Sequence, residues 1–336
     1  MNIDVKPLIS IILPIYNGDK FMAQSIQSCL NQTYKNIELI IVNDCSTDDS
    51  LTVARQYQNG DNRIKIIDNF INKKLPASLN IGHRAAKGSF ITWTSDDNWY
   101  EVDAIEKLHS YIMAHDCDVA YSNVKIVNAD GVFERKHYYP NNALILFGNV
   151  IGSCFLYKKE VYESVGGYNE SLFLLEDYDF WLQSIVNFRF QKINLFLYNY
   201  RKHSQSLTAQ ISDVDEINKL FSKNMIKVFE NFYSRTKIAN TQFMVNLSLD
   251  EINYRHKNYK WHKQNFTEIR QTFNIISNHC SLRRTDLKKL HLQKIINSND
   301  FKENFCVGKI IFILYHFSSQ IRQNDIKTLV KYAIKF

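Results

Sequence analysis

Three short segments of this 336-residue chain carry side chains suited to chemistry. In Thr94-Ser95-Asp96-Asp97 two adjacent carboxylates repel one another and need a cation. Hard oxygen donors suit Mg²⁺ or Mn²⁺, ions that bind through one or two carboxylates together with substrate phosphates. The plainer reading of the pair is a cap for a helix beginning near Glu101. In Glu176-Asp177-Tyr178-Asp179 three carboxylates within four residues raise one another's pKa, which suits one of them to act as a base. An acidic first turn of a helix is the alternative. The third segment, Arg201-Lys202-His203-Ser204-Gln205-Ser206, offers a cation, an imidazole and hydroxyls that suit a diphosphate or a metal ion. Taken alone, it is a polar loop.

The elements that must position these groups are α/β in pattern. Leu8 to Leu13 and Ile37 to Val42 are near-continuous apolar runs, as expected of strands buried on both faces. Ile64 to Ile67 and Phe90 to Trp93 continue the series. Between the strands lie helical stretches at Phe21 to Leu30, Leu51 to Tyr57 and Leu75 to Ala86, the last with Pro76 in its first turn. The alternation predicts βαβ units and a parallel sheet. The loops Tyr16-Asn17, Asn43-Asp44 and Ser95-Asp96-Asp97 then follow the carboxyl ends of successive strands, where open α/β sheets bind ligands. Glu101 to His115 reads as a helix, and Val119 to Val127 and Phe190 to Tyr200 as strands. Gly148, Gly152 and Ser153, embedded in the apolar segment Leu144 to Tyr157, suggest a close backbone approach. Beyond about Val214 the pattern becomes helical through to the C-terminus, so a boundary is expected near residue 210, between regions 1–210 and 211–336.

Composition narrows the class. Hydrophobic residues at 45% and charged residues at 22% exclude wholesale disorder. The apolar run Val307 to Phe317, broken by Lys309, falls short of a spanning helix. With no signal-like N-terminus, a cytoplasmic location is expected. Six scattered cysteines, Cys29, Cys45, Cys117, Cys154, Cys280 and Cys306, read as free thiols. Residues 1–210 hold 20 basic and 23 acidic side chains, whereas 211–336 hold 21 and 11, so the net charge of +7 belongs to the tail. A basic tail suits an anionic membrane surface, here the inner face of the plasma membrane, or consists of solvated helix faces. No basic-aromatic motif accompanies it, so no nucleic-acid partner is expected. A Gly-rich dinucleotide fingerprint and a Walker A sequence are both missing after the first strand, where Pro14-Ile15-Tyr16-Asn17 stands instead.

In this order the motifs resemble the inverting family 2 glycosyltransferases. The resemblance runs from Leu8 to Thr208 and rests on Ser10 to Asn17, on Gln32-Thr33-Tyr34 with Glu38 to Asp48, and on Ala86 to Ile91 leading to Asp96-Asp97. It continues through Gly166-Gly167-Tyr168 with Glu176 to Asp179, and through Tyr200-Arg201 with His203. It implies a GT-A type, Rossmann-like, mostly parallel sheet sandwiched by helices and followed by a helical C-terminal extension. It also implies a metal-dependent, hexosyltransferase-like enzyme using a nucleotide-sugar donor. Pro14, Tyr16, Asn17 and Asp44 would hold the nucleotide, with Ser95, Asp96, Arg201 and Ser206 toward the sugar diphosphate. Asp96, Asp97 and His203 would hold Mn²⁺ or Mg²⁺, with Asp177 as base and Glu176 beside it.

The chain departs from the family's Asp-x-Asp pattern at Thr94, where a hydroxyl replaces the first carboxylate. Asp44 is compatible with uracil and thymine, so a UDP-sugar is the leading donor and a dTDP-sugar the next. The expected partners are a glycan or lipid-linked acceptor in capsule, lipopolysaccharide or other cell-surface polysaccharide synthesis, an anionic membrane surface and a second copy of the chain. The alternative is a weak or inactive nucleotide-sugar-binding scaffold of a polysaccharide assembly complex. Trp93, Trp99, Tyr100 and the pair Tyr138-Tyr139 are candidates for stacking on a sugar.

Overall fold

The first apolar run becomes strand β1 (Ile9–Ile15), every residue of which is buried. It lies in a computed structural model that describes residues 6–236, 238, 240–253, 258–297, 309, 312, 313, 316–321 and 325. The N-terminal residues 1–5, Cys306 and most of the apolar run Val307 to Phe317 lie outside the described residues. The order continues α1 (Met22–Leu30), β2 (Ile37–Asn43), α2 (Ser50–Gly60), β3 (Ile64–Asp68), α3 (Leu75–Ala85) and β4 (Phe90–Trp93). These strands pair in parallel in the order β3-β2-β1-β4. Period-two alternation sends Ile9, Ile11, Leu13 and Ile15 into a core shared with Met22 and Ile26 of α1. Ile12 and Val42 point to the other face, against α3, whose Gly82 lies on both side chains. A strand buried on both faces cannot alternate polar with apolar residues, so the sequence reads as a solid apolar run.

The second half adds β5 (Trp99–Tyr100), α4 (Ala104–His115), β6 (Val119–Val127), β7 (Phe133–His137), β8 (Phe155–Lys158), α5 (Lys159–Val165), α6 (Glu176–Ser184) and β9 (Phe190–Arg201). Among the described residues the sheet has nine strands, ordered β3-β2-β1-β4-β8-β6-β9-β5 with β7 on β6. Strands β1 to β4, β6 and β9 share one direction; β5, β7 and β8 run against it. Strand order reverses between β1 and β4, and the crevice at such a reversal is where α/β sheets bind ligands.

One expectation needs correction and another is met. Helix α4 begins at Ala104 rather than Glu101, because Trp99-Tyr100 is drawn into pairing with β9 and the Glu101 carboxylate is taken by Lys125 (2.8 Å) and Asn199 (2.7 Å). Asp96 and Asp97 therefore do not cap that helix. The close approach foreseen near Gly152 is an aromatic contact: a Cβ at Gly152, where φ is +69°, would sit 2.1 Å from the Tyr139 ring.

Beyond the sheet lie α7 (Leu207–Asp213), α8 (Asp215–Arg235), α9 (Thr241–Ile252), α10 (Tyr259–Gln264), α11 (Phe266–His279) and α12 (Arg284–Asn297). The chain forms two compact units that divide inside α8, between Val228 and Phe229, rather than at residue 210; residues 143–148 go with the second unit. Within that unit Tyr259, Leu292, Ile295, Ile296, Ile313 and Phe317 form a core, and Lys294 pairs with the buried Glu251. Cys29, Cys45, Cys117, Cys154 and Cys280 are free thiols. No described helix is long and apolar enough to cross a membrane.

Candidate active site

At the reversal point the loops after β1 and β2 are stapled together by short polar side chains. Asn17, in left-handed backbone at φ +53°, accepts from the Thr47 amide (2.8 Å), and its own amide donates to Ser46 Oγ (3.1 Å). The Gly18 amide donates to Ser50 Oγ (2.9 Å). Pro14 is buried in β1, whereas Tyr16 stands about half exposed at 51%. Asp44 is buried, and its carboxylate accepts from the amides of Lys73 (2.9 Å) and Lys74 (2.8 Å) and from Asn69 Nδ2 (2.9 Å). A carboxylate offers about four lone-pair directions. Three are spent on holding this loop to the one after β3.

The β4 loop closes onto the same place. A Cβ on Gly18 would lie 2.1 Å from Asp96 Oδ2, so Asp96 reaches over the β1 loop through space that only glycine leaves open. Burial above all, and then the charge of Asp97, push the Asp96 carboxyl up to about 7, against a hydrogen bond from the Tyr16 amide. Asp97 Oδ2 meets His203 Nε2 at 2.9 Å, and the Phe21 ring lies 5.1 Å from the imidazole. Asp97 Oδ1 is buried without a hydrogen-bond partner. Among the described residues no three His, Cys, Asp or Glu side chains converge as a ready-made cage. Two neighbouring carboxylates, one with an orphaned buried oxygen and the other held partly neutral by burial and repulsion, nonetheless fit an ion that takes one or two carboxylates and completes its shell on phosphate.

The remaining residues expected here divide sharply. Ser95 is tied inward, its carbonyl accepting from Ser25 Oγ (2.9 Å) and its hydroxyl bonded to Asn98. Ser206 accepts from the Ala209 amide (3.2 Å) and so caps α7. Arg201 is buried, and its guanidinium donates to the carbonyls of Asp97 (2.9 Å) and Ala129 (2.6 Å) and to Gln24 Oε1 (2.6 Å). The rings of Phe21 and Trp99 cover it at 4.4 and 4.9 Å. Three of the guanidinium's five N–H donors are thus taken, two by loop carbonyls and one by the Gln24 side chain of α1. Thr94 is buried and shares a 2.6 Å hydrogen bond with the Tyr198 hydroxyl. Tyr100 is buried and bonded to Thr92 (3.0 Å), Trp93 packs edge-on to Phe155, and Tyr139 packs on Gly152; of the candidate stacking rings Tyr138 is well exposed, at 64%.

The second acidic cluster opens α6. Leu174, just before it, takes φ +78°, a conformation costing a branched side chain about 1–3 kcal/mol and typical of functional sites. Asp177 Oδ2 accepts from Asn149 Nδ2 (2.7 Å), and Asp177 Oδ1 from the Tyr178 amide (2.7 Å). Glu176 is buried with Oε2 unpartnered. Burial raises both pKa values, and for Glu176 the Asp177 charge adds to it. Burial pushes the Tyr200 phenol up, its hydrogen bond to Thr208 (3.0 Å) opposes this, and the charges of Asp97 and Asp177 add to the rise. Asn149, Tyr200 and Asn69 were not singled out from sequence as site residues; their separation from their partners along the chain hides them.

The family model for glycosyl transferase family 2 matches residues 10–166. The O-antigen biosynthesis glycosyltransferase WbnJ of Escherichia coli is 31% identical over 217 residues, which cover 61% of this chain and 84% of WbnJ. This chain belongs to glycosyltransferase family 2. An uncharacterized glycosyltransferase of Rickettsia bellii is 31% identical over 240 residues, 67% of this chain; those residues span only 34% of that longer relative. In fold this family member is similar to S. aureus TarS 1–349 in complex with UDP-GlcNAc, with a TM-score of 0.60 at 17% identity over 96% of this chain and 90% of that one. It is also similar to the mannosyltransferase PcManGT of Pyrobaculum calidifontis in complex with GDP-Man and Mn²⁺, with a TM-score of 0.55 at 11% identity over 99% of this chain and 87% of that one. The fold is the GT-A fold, with a mixed, mostly parallel sheet and a helical C-terminal region.

Proposed function

We propose that this chain is an inverting glycosyltransferase that moves a sugar from a nucleoside-diphosphate donor, a UDP-sugar first and a dTDP-sugar second, to a hydroxyl of a glycan or lipid-linked acceptor in cell-surface polysaccharide synthesis. The observation that carries this reading is the Asp96–Asp97 pair beside the strand reversal, with Asp97 held by His203 at 2.9 Å and its Oδ1 buried without a partner. Single displacement at an anomeric carbon needs a cationic locus for the departing diphosphate and a base for the incoming hydroxyl, and these belong on opposite sides of the sugar. Pro14, Tyr16, Asn17 and Asp44 border the nucleotide. Asp96, Asp97 and His203 would hold Mn²⁺ or Mg²⁺, which supplies positive charge where the diphosphate leaves. Asp177 takes the acceptor hydroxyl's proton at its carboxylate, a task eased by a pKa raised through burial. Glu176, next to it, keeps the pair short of full ionisation. The region 1–210 carries these steps, and the basic region 211–336 contacts the acceptor, an anionic membrane surface or a second copy.

The test is calorimetric titration of UDP, dTDP, GDP and CMP, each with and without Mn²⁺. Metal-dependent binding of UDP is expected. Silence from all four in a folded sample refutes the reading.

A further inference from the structure

Asn80, a buried side chain in the middle of α3, spends its whole hydrogen-bonding capacity on the chain between α5 and α6 and on α5 itself. Its Oδ1 accepts from the Tyr168 amide (2.8 Å) and the Tyr162 hydroxyl (3.0 Å), and its Nδ2 donates to the Tyr168 carbonyl (2.9 Å) and to Glu170 Oε1 (3.0 Å). A side-chain amide has two donors and two acceptor positions, and all four are filled. Two of them grip the N–H and C=O of a single residue, Tyr168, as the neighbour in a strand pair would. The backbone is shaped for this grip: Gly167 stands at φ +94°, and a Cβ there would lie 2.8 Å from Asn80 Oδ1. A second line from α3 reaches the same residue. His83 Nδ1 faces the Leu79 carbonyl (2.7 Å), which can only accept, so Nε2 accepts from the Tyr157 hydroxyl, whose oxygen lies 3.3 Å from that of Tyr168.

From the gripped residue the chain runs directly to the acidic turn of α6. The Tyr168 ring stacks on Phe180 of α6 with centroids 4.6 Å apart. The Leu172 amide closes a turn on the Asn169 carbonyl (3.0 Å) and the Leu175 amide another on the Leu172 carbonyl (2.9 Å), immediately before Glu176. The other end of α3 holds the nucleotide side: Lys74, which precedes the helix, gives its amide to Asp44 (2.8 Å), and Ser78 accepts from Asn69 (3.3 Å). One helix therefore carries both loops, with Lys74 and Asn80 about 9 Å apart along its axis. We infer that Asn80 is a positioning residue for transfer: by fixing Tyr168 it sets where α6 begins, and so where Asp177 stands relative to the nucleotide loop borne by the same helix. The word transfer rests on the function proposed above; the grip on residues 166–170 is independent of it. Asn80→Asp separates hydrogen bonding from bulk, because it keeps the volume and the accepting oxygen but removes the amide donors.

The test uses the full chain. Asn80→Asp, the double variant Asn80→Asp with Glu170→Gln, and the milder Tyr162→Phe are compared with the parent by hydrogen–deuterium exchange, by calorimetry with UDP and Mn²⁺, and by UDP release from UDP-glucose, UDP-galactose and UDP-GlcNAc with water as acceptor. In Asn80→Asp we expect exchange across residues 166–177 to quicken about tenfold or more while residues 43–47 and 69–74 stay within about twofold of the parent. UDP affinity should hold within about threefold and UDP release should fall about tenfold or more, the split expected of a displaced base. Adding Glu170→Gln, which returns a donor to the cluster, should recover about half of each loss on a logarithmic scale. Exchange across 166–177 within about twofold of the parent overturns the proposal, as does a fall in UDP affinity equal to the fall in release, the mark of general loosening. Should Asn80→Asp fail to fold, Tyr162→Phe decides: exchange about threefold faster and confined to 166–177 sustains the grip, and unchanged exchange overturns it. If the parent releases UDP from none of the three donors, exchange and UDP affinity decide the grip; a parent that also fails to bind UDP discards the transfer reading.

Discussion

Arg201→Met separates two roles that a cation beside an acidic loop can play. The native guanidinium makes three hydrogen bonds, to Asp97, Ala129 and Gln24, and is covered by two rings. Hydrogen bonds involving a charged partner contribute about 1.5–3 kcal/mol each and cation–π contacts about 0.5–2 kcal/mol. Their simple sum overstates the loss, because the variant also escapes the cost of burying a charge, and burial already lowers the arginine's pKa. Removing one partner of a buried charged network costs about 3–5 kcal/mol, and we expect that range. In thermal unfolding this is a fall of roughly 10 °C, read by circular dichroism. Arg201→Lys should recover less than half of it, since an ammonium cannot reach three acceptors in a planar fork. UDP affinity, measured below the transition, should fall only through disorder of the Asp97 loop and recover in part at lower temperature. The reasoning fails if Arg201→Met melts within about 2 °C of the parent yet loses UDP binding tenfold or more. That pattern belongs to a cation aimed at phosphate.

Three further outcomes follow from the acidic cluster on α6. Asp177→Asn should lower the transfer rate about a thousandfold while calorimetric UDP affinity stays within twofold, the signature of a lost base. Asn149→Ala removes the amide that favours charged Asp177, so its pKa rises further; the acid limb of the kcat profile should move to higher pH with the plateau kept, and an unmoved limb would exclude Asp177 as the titrating group. Glu176 has a raised folded-state pKa, so its contribution to stability is complete below the unfolded value and is lost as pH rises through the folded one. Glutamine does not titrate, so the Tm of Glu176→Gln should exceed the parent's by a margin that grows from about pH 5 to about pH 8, at about 1.4 kcal/mol per unit of pKa difference.

The parallel half of the sheet is legible because burial on both faces leaves one kind of residue in each strand. Ile9 to Ile15 and Ile37 to Asn43 could hardly be anything else. The loops after them are legible for the same reason, since Asn17, Asp44 and Asp96 stand where the apolar runs stop. What sequence hides is partnership. Asp97 and His203 are 106 residues apart, and Asn149 and Asp177 are 28 apart. Nothing in either local pattern announces the contact. Arg201 is a further case: its type is read correctly as a cation, but its hydrogen bonds to Asp97, Ala129 and Gln24 come from segments that no spacing rule connects. Tyr100 beside the acidic loop similarly turns into the core, because strand pairing and its hydroxyl partner fix its direction before any ligand arrives, while Trp93 is half-buried against Phe155.

Thr94 ties these observations together. At the position where the resemblance implies a carboxylate, this chain has a hydroxyl that meets the Tyr198 hydroxyl in full burial, just beyond β4 and two residues past Thr92 of the Thr92–Tyr100 pair. An aspartate at 94 would bury an anion among tyrosines, a cost of several kcal/mol without a partner. The hydroxyl removes that cost and closes the floor of the loop with neutral hydrogen bonds. The acidic pair is thereby the adjacent Asp96–Asp97 instead of two alternating residues, with Asp97 steadied by His203 and the Arg201 guanidinium holding the Asp97 carbonyl. Asp96 and Asp97 lie in a turn, and the space left by Gly18 admits the Asp96 carboxylate over the β1 loop. Restoring an aspartate at 94 in this chain should cost stability instead of strengthening the site.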